Sequence, residues 1–112
     1  TSTSNTILKN MAIKREEILL ALQTSLLGEI YAEIRLIVFK YNSDNRQFML
    51  RYYLDREPTE EDYENLSVVI TEFISNFKYS EFDGVSSECI YSKSPISELE
   101  TLDGIVYCRK EF

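Results

Sequence analysis

The acidic side chains Glu57, Glu60, Glu61, Asp62 and Glu64 fall within eight residues, and Glu98, Glu100 and Asp103 within six. Paired carboxylates can do general acid–base work or hold a divalent cation, so they are the first candidates for chemistry. Nineteen acids in 112 residues make close pairs unavoidable, however. A glycosidase-type pair also needs a cleft that a chain this short rarely supplies. No D-x-D-x-D-G loop suggests calcium, and the three glycines stand singly, so no phosphate-cradling loop is present. Histidine is absent, which removes Ser-His-Asp and Cys-His-Asn catalysis and every His-ligated zinc site. Cys89 and Cys108 are too few for a four-thiolate site, and their spacing fits no redox motif. The sequence predicts no catalytic residue, no metal ligand and no cofactor. What remains for the carboxylates is recognition: they can meet the cations of a basic partner. The competing reading is a solvated face with acids at the positive end of a helix.

Charge distribution favours recognition. The chain carries 12 Lys plus Arg against 19 Asp plus Glu, a formal charge of −7. Residues 1–56 contribute +2 and residues 57–112 contribute −9. Such a surface repels nucleic acid, whose binding needs a basic face, and steers a basic protein. Tyrosine is the second signal, with eight Tyr and no Trp. Tyr52 and Tyr53 are adjacent in a strand, so one ring faces the core and the other, Tyr53, the outer face beside Met49 and Arg51. Tyr, Met and Arg together resemble the composition of a protein interface, although scattered surface aromatics read the same way.

These residues are positioned by a short run of elements. Residues 1–12 read as a flexible N-terminal tail or an appended remnant, leaving 13–112 as a single α+β domain. A helix is expected from about Ile13 to Gly28, with Ile18, Leu22 and Leu26 on one stripe. In residues 31–41 the even positions Ala32, Ile34, Leu36 and Val38 form an apolar face. Residues 47–56 alternate likewise, with Phe48, Leu50, Tyr52 and Leu54 inward, and the turn cluster 42–45 makes the pair a hairpin. Pro58 and Thr59 open a second helix, Thr59-x-x-Asp62 being a capping-box variant. Strands over about 85–93 and 105–111 close the domain. If those two strands pair, Cys89 and Cys108 lie nearly opposite each other. The order α-β-β-α-β-β looks like a duplicated unit and predicts a four-stranded, mainly antiparallel sheet with two helices packed on one face. The longest apolar runs, Ile18 to Leu22 and Leu36 to Phe39, are far too short to span a bilayer, so a soluble cytoplasmic protein with free thiols is expected.

The stretch from KREEILLALQTSLLGEIYAEIRLIVFKYN through LRYYLDREPTEEDYENL resembles the immunity proteins of bacterial contact-dependent growth inhibition systems. The likeness covers most of the chain after residue 10. It implies a non-catalytic cytoplasmic inhibitor that binds the C-terminal toxin domain of a large exported protein, commonly a basic RNase or DNase, with tRNA a frequent target. The family shares no binding motif, so no site residue is carried over from it. The residues themselves nominate Glu57, Glu60, Glu61, Asp62, Glu64, Glu98, Glu100 and Asp103 as partners for toxin Lys and Arg, with Tyr53 or a neighbouring aromatic as the packed anchor. The expected assembly is one monomer on one toxin domain, with no direct contact to nucleic acid or membrane. An acidic secretion chaperone that masks an effector segment, usually as a dimer, is the alternative. An enzyme is the weaker rival and would need a deep pocket.

Overall fold

A computed structural model of the chain describes residues 15–77 and 82–110. The expected tail and the first residues of the expected first helix lie outside that range. Helix α1 runs Arg15–Ser25, and Gly28, at φ 80, lets the chain turn after it without a side-chain penalty. The hairpin follows as β1, Ile34–Asn42, and β2, Gln47–Leu54, paired antiparallel. Helix α2 spans Glu60–Ser75. Strand β3 is Gly84–Tyr91, a short 3-10 turn covers Ile96–Glu98, and β4 is Gly104–Cys108.

Element order is as the sequence predicts, but the sheet is mixed rather than mainly antiparallel. Its strand order is β3-β2-β1-β4, with β3 parallel to β2 and β4 antiparallel to β1. The last two strands therefore do not pair; they form opposite edges. The cause is α2. Sixteen helical residues carry the chain back along the sheet, so β3 restarts beside the beginning of β2 and runs with it, as in any βαβ unit. The halves are thus no structural duplication: one is a hairpin, the other two crossovers. Cys89 pairs with Tyr52 at one edge and Cys108 with Leu36 at the other. Three strand spacings, roughly 14 Å, separate them, against a Cα distance of under about 7 Å for a disulfide.

Strand β3 to strand β4 is a second parallel crossover, running back across the sheet. Crossovers share one hand, so one that travels the other way must pass over the other face. Residues 92–103 do this, and Ile96, Leu99 and Leu102 pack on Leu36, Val38 and Tyr53. The opposite face carries the main core. There Ile18, Leu22 and Leu26 of the α1 region and Leu66, Val69 and Phe73 of α2 join Ile37, Phe39, Phe48, Leu50 and Tyr52 in one cluster. Phe48 stacks on Phe73 with ring centroids 4.6 Å apart.

The expected face of β1 is also corrected. A register irregularity between Ile34 and Leu36 breaks the alternation. Ile34, Ile37 and Phe39 face the helices, while Leu36 and Val38 face the crossover. As a central strand covered on both sides, β1 is buried without interruption from Ile34 to Phe39. In β2 the predicted faces are the observed ones, with Phe48, Leu50, Tyr52 and Leu54 all in the main core.

Candidate partner-binding site

The start of α2 is set by Thr59, which takes the extended conformation of an N-cap, φ −121 and ψ 171. Its backbone N–H donates to Asp62 Oδ2 at 2.7 Å, the reciprocal half of a capping box. The same carboxylate accepts a forked pair from Arg56, Nη1 to Oδ2 at 2.7 Å and Nη2 to Oδ1 at 3.0 Å. The Tyr31 hydroxyl donates to Oδ1 at 2.6 Å. Asp62 is 1% exposed. Burial alone would raise its pKa, but the hydrogen bonds from Arg56, Tyr31 and Thr59 outweigh burial and hold the carboxyl well below the usual range. Asp62, expected at the surface to meet a partner, is instead an internal pin joining the helix start to the end of β2 and to the segment before β1.

Glu57, Glu60, Glu61 and Glu64 are exposed, as expected. Steps of three and four put Glu60, Glu61 and Glu64 on one side of the first turns of the helix, and Glu57 lies just before its N-cap. Beside them a concavity of about 330 Å³ is lined by Tyr31, Glu33, Arg56, Glu61, Asp62 and Asn65, which adds the carboxylate of Glu33 to the group.

Glu98, Glu100 and Asp103 are exposed too, but elsewhere. They ride on the crossover that covers the other face. Asp103 donates its N–H to the Phe39 carbonyl at 2.9 Å, and its Oδ2 accepts the Tyr41 N–H at 2.7 Å. The α2 entrance follows Leu54, which pairs with Ile34, whereas Asp103 precedes Gly104, which pairs with Phe39. Five strand residues, roughly 17 Å, lie between the two ends. The two acidic groups form two patches, and Asp103 is also engaged in tying β4 to the hairpin.

Tyr53 is not an exposed anchor. Its ring points away from the helices as predicted, but the crossover covers it, leaving 4% exposure. Its hydroxyl donates to the Glu100 carbonyl and accepts from Arg51 Nη1, both at 3.0 Å. Arg51 in turn pairs with Glu88 at 2.9 Å. The half-exposed aromatic that does flank Glu60 and Glu64 is Tyr63, at 46%. Among the described residues no group of His, Cys, Asp and Glu could hold a metal, and no helix is long and apolar enough to cross a membrane.

The model of the MafI2 immunity protein family matches residues 15–111. The chain belongs to that family. It is an immunity protein of a toxin–immunity system, and its partner is a cognate toxin protein. No curated protein matches the chain.

For a member of the MafI2 family the relevant chemistry is that of a surface, and the network around Asp62 matters because it holds one still. Asn65 accepts a hydrogen bond from the Tyr52 hydroxyl at 3.1 Å and donates to Glu29 Oε2 at 2.9 Å. Glu29, Tyr31, Arg56 and Asn65 escaped sequence reasoning, since nothing in one-dimensional spacing joins residues 29–33 to 56–65. Asp62 did carry a signal: a capping-box position already commits its carboxylate to the backbone.

Proposed function

We propose that this immunity protein neutralises a basic nuclease toxin domain, of the kind that contact-dependent growth inhibition proteins carry at their C-terminus, by offering carboxylates where substrate phosphates would lie. One observation carries the reading. Glu57, Glu60, Glu61 and Glu64 stand exposed at the entrance of α2, and none forms an ion pair among the described residues. Ordinary acidic surfaces neutralise themselves with neighbouring Lys or Arg. Here the cation that lines the adjacent concavity, Arg56, is already forked onto Asp62. The exposed set is left with uncompensated charge on a rigid helix start, the arrangement that speeds encounter with a basic partner. Tyr63 supplies apolar area beside it, and aromatic anchors commonly carry interface affinity.

Membership in an immunity family supports a binding role without catalysis, and it favours this reading over the secretion chaperone. Two unbridged thiols on opposite sheet edges suit a reducing cytoplasm, where the protein would meet its toxin as a monomer in a 1:1 complex.

The test begins with a tagged pull-down from the native bacterium, which identifies the toxin domain. Association of that domain with the wild-type chain and with the double variant Glu60→Lys, Glu64→Lys is then followed. The expected result is association slowed by about tenfold or more at low salt. Unchanged affinity would remove the α2 entrance from the interface, and recovery of an unfolded effector segment would replace the toxin reading by the chaperone.

A further inference from the structure

Strand β3 ends the sheet, and no described strand lies beyond it. Natural edges are normally blunted by shortness, a bulge, proline or outward charge, because an unpaired row of N–H and C=O groups recruits other strands. Strand β4, the other edge, carries such devices: five residues, a register irregularity opposite Ile37 and Val38, and Arg109 and Lys110 immediately after it. Strand β3 has neither the shortness nor the irregularity of β4. Its eight residues pair with β2 in unbroken register from Gly84 to Tyr91, without proline or bulge. Its only charge, Glu88, is ion-paired with Arg51 of the neighbouring β2.

Backbone direction along β3 can be assigned. The N–H groups of Gly84 and Ser92 both donate to β2-side carbonyls, those of Arg46 and Leu54. In a parallel ladder alternate residues point both backbone groups the same way. Even-numbered residues therefore bond to β2, and Val85, Ser87, Cys89 and Tyr91 direct N–H and C=O outward. Helix α2 flanks this edge. Asn65 reaches Glu29 on the α1 side, and Leu66, Val69 and Phe73 point into the core. At 100° per residue, Tyr63, Ser67 and Ile70 then lie on the flank toward β3. Glu60 and Glu64 sit next to Tyr63 on the solvent side.

We propose that the β3 edge is the toxin's docking rail: an extended, basic strand of the toxin domain pairs with Val85–Tyr91 and continues the sheet. This rests on the immunity reading and specifies how the toxin is held. Charge selects the occupant. A second copy of this chain would bring −7 against −7, whereas a strand bearing Lys or Arg places cations beside Glu60 and Glu64. Half-exposed Val85 and Tyr63 give such a strand apolar contacts on the helix side, while its main chain supplies affinity, as in other strand additions.

The experiment uses the full chain and the toxin domain that co-purifies with it, expressed separately. Amide hydrogen exchange is measured on the free chain and on the complex. Val85, Ser87, Cys89 and Tyr91 should exchange fast when free and become protected with toxin, while Ser86, Glu88 and Ile90 are already slow. Ser87→Pro removes an outward N–H and no β2 bond, so the fold should persist, and affinity should fall at least about tenfold. Ser87→Ala should bind as wild type. Should Ser87→Pro fail to fold, the exchange pattern of the wild-type complex decides. Unprotected odd-numbered amides in a tight complex, or full-strength binding by Ser87→Pro, would overturn the rail and leave the immunity reading standing. Failure of the toxin domain to bind wild type would overturn both. A dimer of the free chain that Ser87→Pro abolishes would assign the edge to a second copy and overturn the toxin strand.

Discussion

Replacing Asp62 by Asn would leave the Arg56 guanidinium, the Tyr31 hydroxyl and the Thr59 N–H sharing one neutral carbonyl oxygen. Removing one member of a buried, hydrogen-bonded charge pair is costly, and here a helix cap goes with it. Asp62→Asn should destabilise the chain by about 2–4 kcal/mol in denaturant unfolding. The pH dependence has a definite sign. The folded carboxyl is held below its unfolded value, so its contribution is complete above about pH 4 and is lost as pH falls through the folded pKa. The wild-type midpoint should drop steeply below pH 4, and Asp62→Asn should flatten that drop; parallel curves would show that another carboxylate dominates. The thiols make a second residue-scale case. Burial first, and then the charge of Asp62, push Cys89 up to about 11, whereas Cys108 is exposed on the β4 edge. Iodoacetamide at pH 8 should alkylate Cys108 in the native protein and Cys89 only after unfolding. A mild oxidant should form no intrachain disulfide.

The crossover over residues 92–103 is the element whose role the sequence concealed. It is pinned at its middle by the Tyr53 hydroxyl on the Glu100 carbonyl and by Ile96, Leu99 and Leu102 on β1. Tyr53→Phe should cost about 1 kcal/mol, with faster amide exchange confined to residues 96–103. Tyr53→Ala should cost about 3–5 kcal/mol and loosen the whole sheet, since it opens a cavity against Leu36 and Val38. Exchange that rises equally in both helices for Tyr53→Phe would show that the crossover is not an independent unit. Period-two alternation made β2 and the hairpin legible, and the Thr59-x-x-Asp62 spacing fixed the start of α2. Two things were not legible. Strand partners across thirty or more residues depend on which way α2 returns the chain, and no local pattern encodes that. Alternation also tells which face a residue is on, not whether that face is covered. Tyr53 points where it should, yet is buried because Ile96, Leu99 and Leu102, too irregular to read as an element, close over it. The Ile34–Leu36 irregularity hid the split of β1 between two cores for a related reason: one extra residue reverses every face after it.

At the scale of the molecule, both faces carry acids, but charge is sorted at one end of the sheet. The C-terminal ends of β2, β3 and β4 meet at one end of it. There the helix side presents Glu57, Glu60, Glu61 and Glu64, while the crossover side presents Lys93, Arg109 and Lys110 around a concavity of about 600 Å³. At that end a basic toxin is drawn toward α2 and the neighbouring β3 edge in preference to the side that carries Lys93, Arg109 and Lys110. The two parts of the proposed interface then act on different rate constants. Exposed carboxylates work at a distance of up to a Debye length, about 10 Å at 0.1 M salt and 3 Å at 1 M, so they set the association rate. Main-chain pairing along β3 forms only after contact, so it sets the dissociation rate. Kinetics across 50 to 500 mM salt should separate them. For wild type, the association rate should fall steeply with salt while dissociation changes little. Glu60→Lys with Glu64→Lys should lower the association rate and flatten its salt dependence. Ser87→Pro should keep the wild-type association rate and salt slope but dissociate at least about tenfold faster. A charge-reversed variant that changes only dissociation would mean that the carboxylates are buried contacts rather than a steering field. The α2 entrance would then belong to the packed interface, and the attraction of the toxin would have to come from the rest of the −9 half of the chain.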